Sequence, residues 1–175
     1  MGYTLVIGEK YIDQNRVKDY IEEDFEEEEA ILRSVDAKLE KNDNAPSFGE
    51  PTDYENQRWP SYNSWYACIS LSGLEDLFYF QKNLKGGHPG FFTITENWLG
   101  KLNTKIKEFK NKYPNCQATY DEKHPCNHIT LPYKRTYGQI EDYPINSILC
   151  RLEWLSFWCN YAFEKYGKKA IFKNS

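Results

Sequence analysis

The chain has 175 residues, with 22 Lys and Arg against 26 Asp and Glu, five Cys, five Trp, fourteen Tyr and ten Phe. That length suits one folded domain, and so many aromatic residues can bury enough area to exclude wholesale disorder. Its most apolar stretch, Leu152 to Phe163, is broken by Glu153, Ser156 and Asn160, which excludes a span of about 20 apolar residues crossing a membrane.

Charge is unevenly divided. Residues 1–55 hold 16 acids against 6 bases (net −10), and residues 56–175 hold 10 acids against 16 bases (net +6). No Cys-x-x-Cys pair exists. Cys68, Cys150 and Cys159 lie in apolar surroundings and read as buried small hydrophobes in a reducing compartment, so the expected location is cytoplasmic. The run Met1 to Leu5 has neither a basic region nor a small-residue cleavage site, and no signal peptide is expected.

In chain order, Tyr3 to Ile7 form a β-prone run stopped by Gly8 and are predicted as a strand. From about Arg16 to Glu40, Val17, Ile21, Phe25, Leu32, Val35 and Leu39 recur mostly at three- to four-residue steps, with Asp13 or Asn15 able to cap the start. The spacing predicts one long helix with a narrow apolar stripe. Its middle carries Glu22, Glu23, Asp24, Glu26, Glu27, Glu28 and Glu29, whose mutual repulsion should make it fray or stand out as an exposed arm over 16–41.

Residues 42–61 contain three Pro and read as an ordered loop anchored by Phe48, Tyr54 and Trp59. Ser61 can cap a short helix with Tyr62, Trp65, Tyr66 and Ile69, ended by Gly73. A helical turn over 74–79, a tight loop at Gly86-Gly87-His88-Pro89-Gly90 and an extended run from Phe91 to Ile94 follow. Thr95 caps a helix to about Tyr113, with Trp98, Leu99, Leu102, Ile106 and Phe109 on one face and five lysines elsewhere. Residues 114–144 read as irregular, with room for a hairpin. The last helix, about Asn146 to Tyr166, is apolar nearly all round and belongs at the centre of a domain. Gly167 ends it, and Ala170-Ile171-Phe172 can pair with the first strand.

Several short patterns, taken in order, resemble a family of small proteins encoded by phages and prophages. The residues are Tyr3-Thr4-Leu5-Val6-Ile7-Gly8, Ala45-Pro46-Ser47-Phe48, Asn56 to Trp65 (Asn-Gln-Arg-Trp-Pro-Ser-Tyr-Asn-Ser-Trp), Gly73 to Phe78 (Gly-Leu-Glu-Asp-Leu-Phe), Leu84 to Gly90, Leu152 to Trp158 (Leu-Glu-Trp-Leu-Ser-Phe-Trp), and Ala170-Ile171 to Asn174-Ser175. The family has no agreed activity, so the resemblance implies a phage-type context inside a host cell and little chemistry. The long acidic segment departs from the shorter one expected there.

Cys116, His124, Cys126 and His128 are metal-ligand types, but Cys-x7-His-x-Cys-x-His contains no zinc knuckle, so no metal is expected. The Gly86–Gly90 loop can approach a ligand closely and present backbone amides to an anion, with His88 beside it; the structural alternative is a tight turn in which His88 caps a carbonyl. It is neither a Walker loop nor a dinucleotide fingerprint. Arg58, Tyr62 and Trp65 could hold a phosphate or stack on a base, or could be an ion-paired Arg with rings in the core. On the last helix, Glu153, Ser156, Asn160 and Glu164 make one polar stripe, facing solvent or a polar cavity.

The expected fold class is therefore α+β: a mostly helical single domain over 1–175, with a small β-sheet using the termini, an acidic N-terminal helical arm at 16–41 and an aromatic-rich body at 42–175. No catalytic set is evident, and no cofactor is expected. The expected function is non-enzymatic binding of a small anionic or nucleotide-like ligand by Arg58, Tyr62, Trp65, Gly87, His88 and Glu153, serving to sequester a host immune signal. The alternative is an inhibitor that binds a host defence protein through an acidic helix mimicking nucleic-acid charge; a small hydrolase ranks third. Self-association is compatible with either, and a pI near 5.5 with no nucleic-acid motif argues against nucleic acid as partner.

Overall fold

The structure, a computed structural model, describes residues 5–46, 58–59, 62–78, 85, 90–119, 121–135 and 137–174, with the backbone alone at 58–59 and 62–64. The fold class is α+β, as the sequence indicates. The described strands are β1 (Leu5–Ile12), β2 (Val35–Lys38), β3 (Arg58–Trp59), β4 (Gly90–Thr93), β5 (Thr130–Lys134), β6 (Ile140–Pro144) and β7 (Ala170–Asn174). The described helices are α1 (Gln14–Glu22), α2 (Glu27–Arg33), α3 (Tyr62–Leu71), α4 (Glu75–Phe78), α5 (Glu96–Lys112) and α6 (Ile145–Tyr166).

The expectation of one helix over 16–40 is corrected. Asp13 caps α1, its carboxylate accepting from the Asn15 and Arg16 amides. The helix then stops at Glu23, with Asp24 at φ 65. Asp24 N donates to Ile21 O at 3.1 Å and Phe25 N to Tyr20 O at 3.0 Å, while the Tyr20 and Phe25 rings meet edge-on at 5.4 Å. This pattern is a Schellman stop, placed inside the acidic run where continued helix would stack like charges. After α2, Val35 to Lys38 enter the sheet as β2, so the tail of the segment is not helical at all.

Five strands make one antiparallel sheet in the order β2-β1-β7-β4, with β3 also paired to β1. The termini pair as expected, but β1 does not stop at Gly8, which lies in register with Ile171 and continues the ladder to Ile12. Alternate residues feed two clusters on opposite faces. Leu5, Ile7, Phe92, Ala170 and Phe172 join the main core with α3 to α6; Val6, Phe91 and Ile171 join Val35 and Ala37, with Leu32 of α2 against them.

Helix α6 is the centre of the main core. Trp154, Trp158, Leu152, Leu155 and Ala162 are fully buried, and Gly167 at φ 54 ends the helix. Thr95 caps α5 by accepting from Trp98 N at 3.2 Å, and Leu99, Leu102, Ile106 and Phe109 form its buried face. Within 114–144, β5 and β6 form a separate hairpin preceded by a 3-10 turn, Pro125–His128. Among the described residues no helix is long and apolar enough to cross a membrane.

Candidate functional site

The register of the main sheet brings several of the expected site segments to one end of it. Trp59, Leu5, Asn174 and Gly90 form a row across β3, β1, β7 and β4, and Arg58, Val6, Lys173 and Phe91 form the next. Arg58 is thus two strands, or about 10 Å, from Lys173. Lys85 pairs with Phe91 through backbone bonds of 2.7 and 3.1 Å, which brings the two ends of the 86–89 stretch together beside these rows. Gly87 and His88 themselves lie outside the described residues, as do the side chains of Arg58 and Tyr62. The latter opens α3, directly after β3 in the chain.

The charged groups near this end are fixed. Lys173 is 5% exposed, with Nζ 2.8 Å from Asp36 Oδ1, while Arg16 reaches Asp36 Oδ2 at 3.5 Å. Lys10 Nζ stands 5.6 Å from the centroid of the Phe91 ring. Neither Lys173 nor Asp36 was anticipated. No alternation marks Lys173, because Ala170-Ile171-Phe172-Lys173-Asn174 reads as three apolar residues followed by two polar ones, all buried. Asp36 was hidden by the helical reading of its segment.

Trp65 is not available as a binding surface. It is 1% exposed, stacked on Phe172 at 5.8 Å and edge-on to Phe78 at 5.2 Å, so it supports the sheet from beneath. Glu153 points elsewhere as well, its Oε1 3.2 Å from Lys110 Nζ of α5. The polar stripe of α6 mostly faces neither open solvent nor a cavity: Asn160 exchanges 3.0 Å bonds with Asn103, and Ser156 donates to the same Asn103 Oδ1 at 3.4 Å. Of the four, Glu164 is exposed and the others are half-buried. The stripe is a polar seam between α5 and α6.

A second cluster ties the N-terminal segment to the end of α6. Glu40 accepts from Tyr161 Oη at 2.8 Å and also from Lys165 and Tyr166. Lys165, then Tyr166 and Tyr161, hold the Glu40 carboxyl below the usual carboxylate range. A depressed carboxylate adds stability that is present above its unfolded pKa and is lost as pH falls through the folded one. Glu40→Gln should therefore cost about 1 kcal/mol at neutral pH, given the partial exposure of the cluster. In urea titrations the wild type and variant should converge as the medium is acidified below about pH 4. A gap that persists in acid would assign the loss to packing instead.

Among the described residues no three His, Cys, Asp or Glu side chains converge as a metal ion would require. A groove of ≈ 590 Å³ runs along one face of α5, lined by Asn97, Gly100, Lys101, Thr104, Lys105 and Glu108, and holds none of the expected site residues. Lys105 is engaged there, at 3.2 Å from Asp76 and 3.0 Å from the Gly73 carbonyl. No family model, curated protein or solved structure matches the chain.

Proposed function

We propose that this chain is a non-enzymatic binder of a small anionic, nucleotide-like ligand, with its site at the sheet end where Arg58, Lys173 and the closure of the 86–89 stretch come together. The supporting observation is the strand register, which aligns Arg58 with Lys173 across β1 and sets Gly90 one row away. A guanidinium can grip a phosphate in two-point fashion, and glycine amides can approach the same anion closely. Trp65 and Glu153 are no part of this site. In the phage-type context drawn from the motif resemblance, the ligand is a host signalling nucleotide and the use is its sequestration.

Calorimetric titration of the full chain with a cyclic dinucleotide, and with inorganic phosphate for comparison, tests the reading. His88→Ala should weaken nucleotide binding about tenfold or more, the scale of a lost charge-assisted hydrogen bond. With His88 acting on the ligand and not on the fold, the melting temperature should stay within about 1 °C. Retained binding with a large fall in Tm would make His88 a structural cap.

A second reading is favoured by the acidic surface. Glu22, Glu23, Asp24 and Glu26 to Glu29 are all exposed, on two helices and the turn between them, and Glu29 alone has an ion pair among the described residues, with Arg33 at 2.8 Å. Such a surface could occupy a basic host protein. Changing Glu26 to Glu29 to Gln should leave nucleotide binding intact, and should weaken α2 slightly by removing its first-turn acids and the Glu29–Arg33 pair. If that variant keeps its fold and its ligand but no longer inhibits a host defence in infected cells, the decoy reading replaces the pocket.

A further inference from the structure

Cys116 and Cys126 flank the link from α5 to the hairpin, and the chain turns back so that they meet. The Cys116 amide donates to Tyr113 O at 3.0 Å, just past the end of α5. Cys126 sits in the 3-10 turn, its amide donating to His124 Nδ1 at 3.2 Å and its thiol to the Asn115 carbonyl at 3.3 Å. The Cys126 sulfur therefore lies against the carbonyl of Asn115, the residue bonded directly to Cys116, and so beside Cys116 itself. Cys116 is half-buried at the edge of the main core, whereas Cys126 is 4% exposed. The other three cysteines, Cys68, Cys150 and Cys159, are buried.

We infer that Cys116 and Cys126 form a redox modification site, an intramolecular disulfide made by exchange with a small disulfide such as glutathione disulfide and reversed by small thiols. In the first step the Cys116 thiolate attacks one sulfur of the glutathione disulfide, whose S–S bond breaks and releases one glutathione thiolate to be protonated. In the second, the Cys126 thiolate attacks the Cys116 sulfur of the mixed disulfide and expels the second glutathione. The protein loses two electrons and two protons, and one disulfide becomes two thiols. Burial, and then the neighbouring Cys126 thiol, push the Cys116 thiol up to about 11. Exchange is accordingly slow at neutral pH and should quicken about tenfold per pH unit as the thiolate fraction grows.

The new bond would fasten the 3-10 turn to the end of α5. That turn is already joined to α6 by the Asn146 Nδ2 to His124 Nδ1 contact at 3.1 Å and by Ile145 N donating to Ile129 O at 2.9 Å. Closing so short a loop should raise Tm by about 5 °C.

The test incubates the full chain with glutathione disulfide at mildly alkaline pH, followed by denaturation, tryptic digestion and mass spectrometry. The expected product joins the peptides 113–123 and 124–134, two hydrogens lighter than their sum. Cys126→Ser should stop at one glutathione on Cys116, and folded Cys116→Ser should take none. A wild type that stalls as the Cys116 adduct, links a different pair, stays unmodified while the denatured chain reacts, or melts lower once linked would overturn the inference.

Discussion

Trp65→Ala should lower stability by about 3–5 kcal/mol, the scale of removing a fully buried large aromatic. Against a typical total of about 5–15 kcal/mol, that loss leaves many such domains largely unfolded at body temperature. The size follows from position: Trp65 is the α3 side chain that bridges Phe172 of the central strand and Phe78 of α4, and Phe78 in turn contacts Phe92 and Trp98. Removing it leaves a cavity bounded by rings that cannot collapse inward together. Trp65→Phe, which keeps a ring, should lose less. Urea denaturation of the three proteins gives the answer. An unchanged midpoint for Trp65→Ala would place the indole outside the core and return it to consideration as a ligand contact.

Asp36→Ala should cost about 3 kcal/mol, more than a surface ion pair is worth, because the lysine left behind is buried. Lys173 lies in a strand whose neighbours, Ile171 and Phe172, are core residues, and its ammonium has Asp36 at 2.8 Å. The double change Asp36→Leu with Lys173→Met removes both charges and should return to within about 1 kcal/mol of the wild type. Thermal melts of the two variants separate a stranded charge from lost packing. If the double variant is as unstable as Asp36→Ala, the cost comes from the shape of the site and not from its charge.

Much of the architecture was legible because its signals were redundant. In α5 a cap, a stripe at 99, 102, 106 and 109 and basic residues in the last turn all agree, and the structure follows them. In α6 the near-continuous apolar content marked the central helix, and Ala170 to Phe172 paired with the first strand as their composition suggested. The N-terminal segment failed because Val35 fits two periods at once. It lies four residues from Leu39, as on a helix, and two from Ala37, as on a strand, and only the sheet partner decides. Asp24 gave no warning of its left-handed conformation, a role more often taken by Gly or Asn.

The candidate site was legible as a set of segments and not as a set of side chains. Arg58 and Gly90 were singled out from local chemistry, yet their placement at one end of the sheet depends on three long-range pairings, β3 with β1, β1 with β7 and β7 with β4. Glu153 misled because a polar stripe on an apolar helix is equally compatible with a pocket and with a neighbouring helix that carries its own Asn and Lys. Here Asn103 and Lys110 supply the partners. Lys173 was overlooked because its counter-ion, Asp36, sits far away in the chain.

The most direct test of ligand binding at the sheet end is mass spectrometry of the small molecules released on denaturing wild-type and Arg58→Ala proteins, purified side by side from infected, immune-activated cells. The expected result is a phosphate-bearing molecule near one equivalent with the wild type and a strongly reduced amount with Arg58→Ala. Equal amounts from both proteins, or no such molecule from either, would contradict a sequestering site at that end of the sheet.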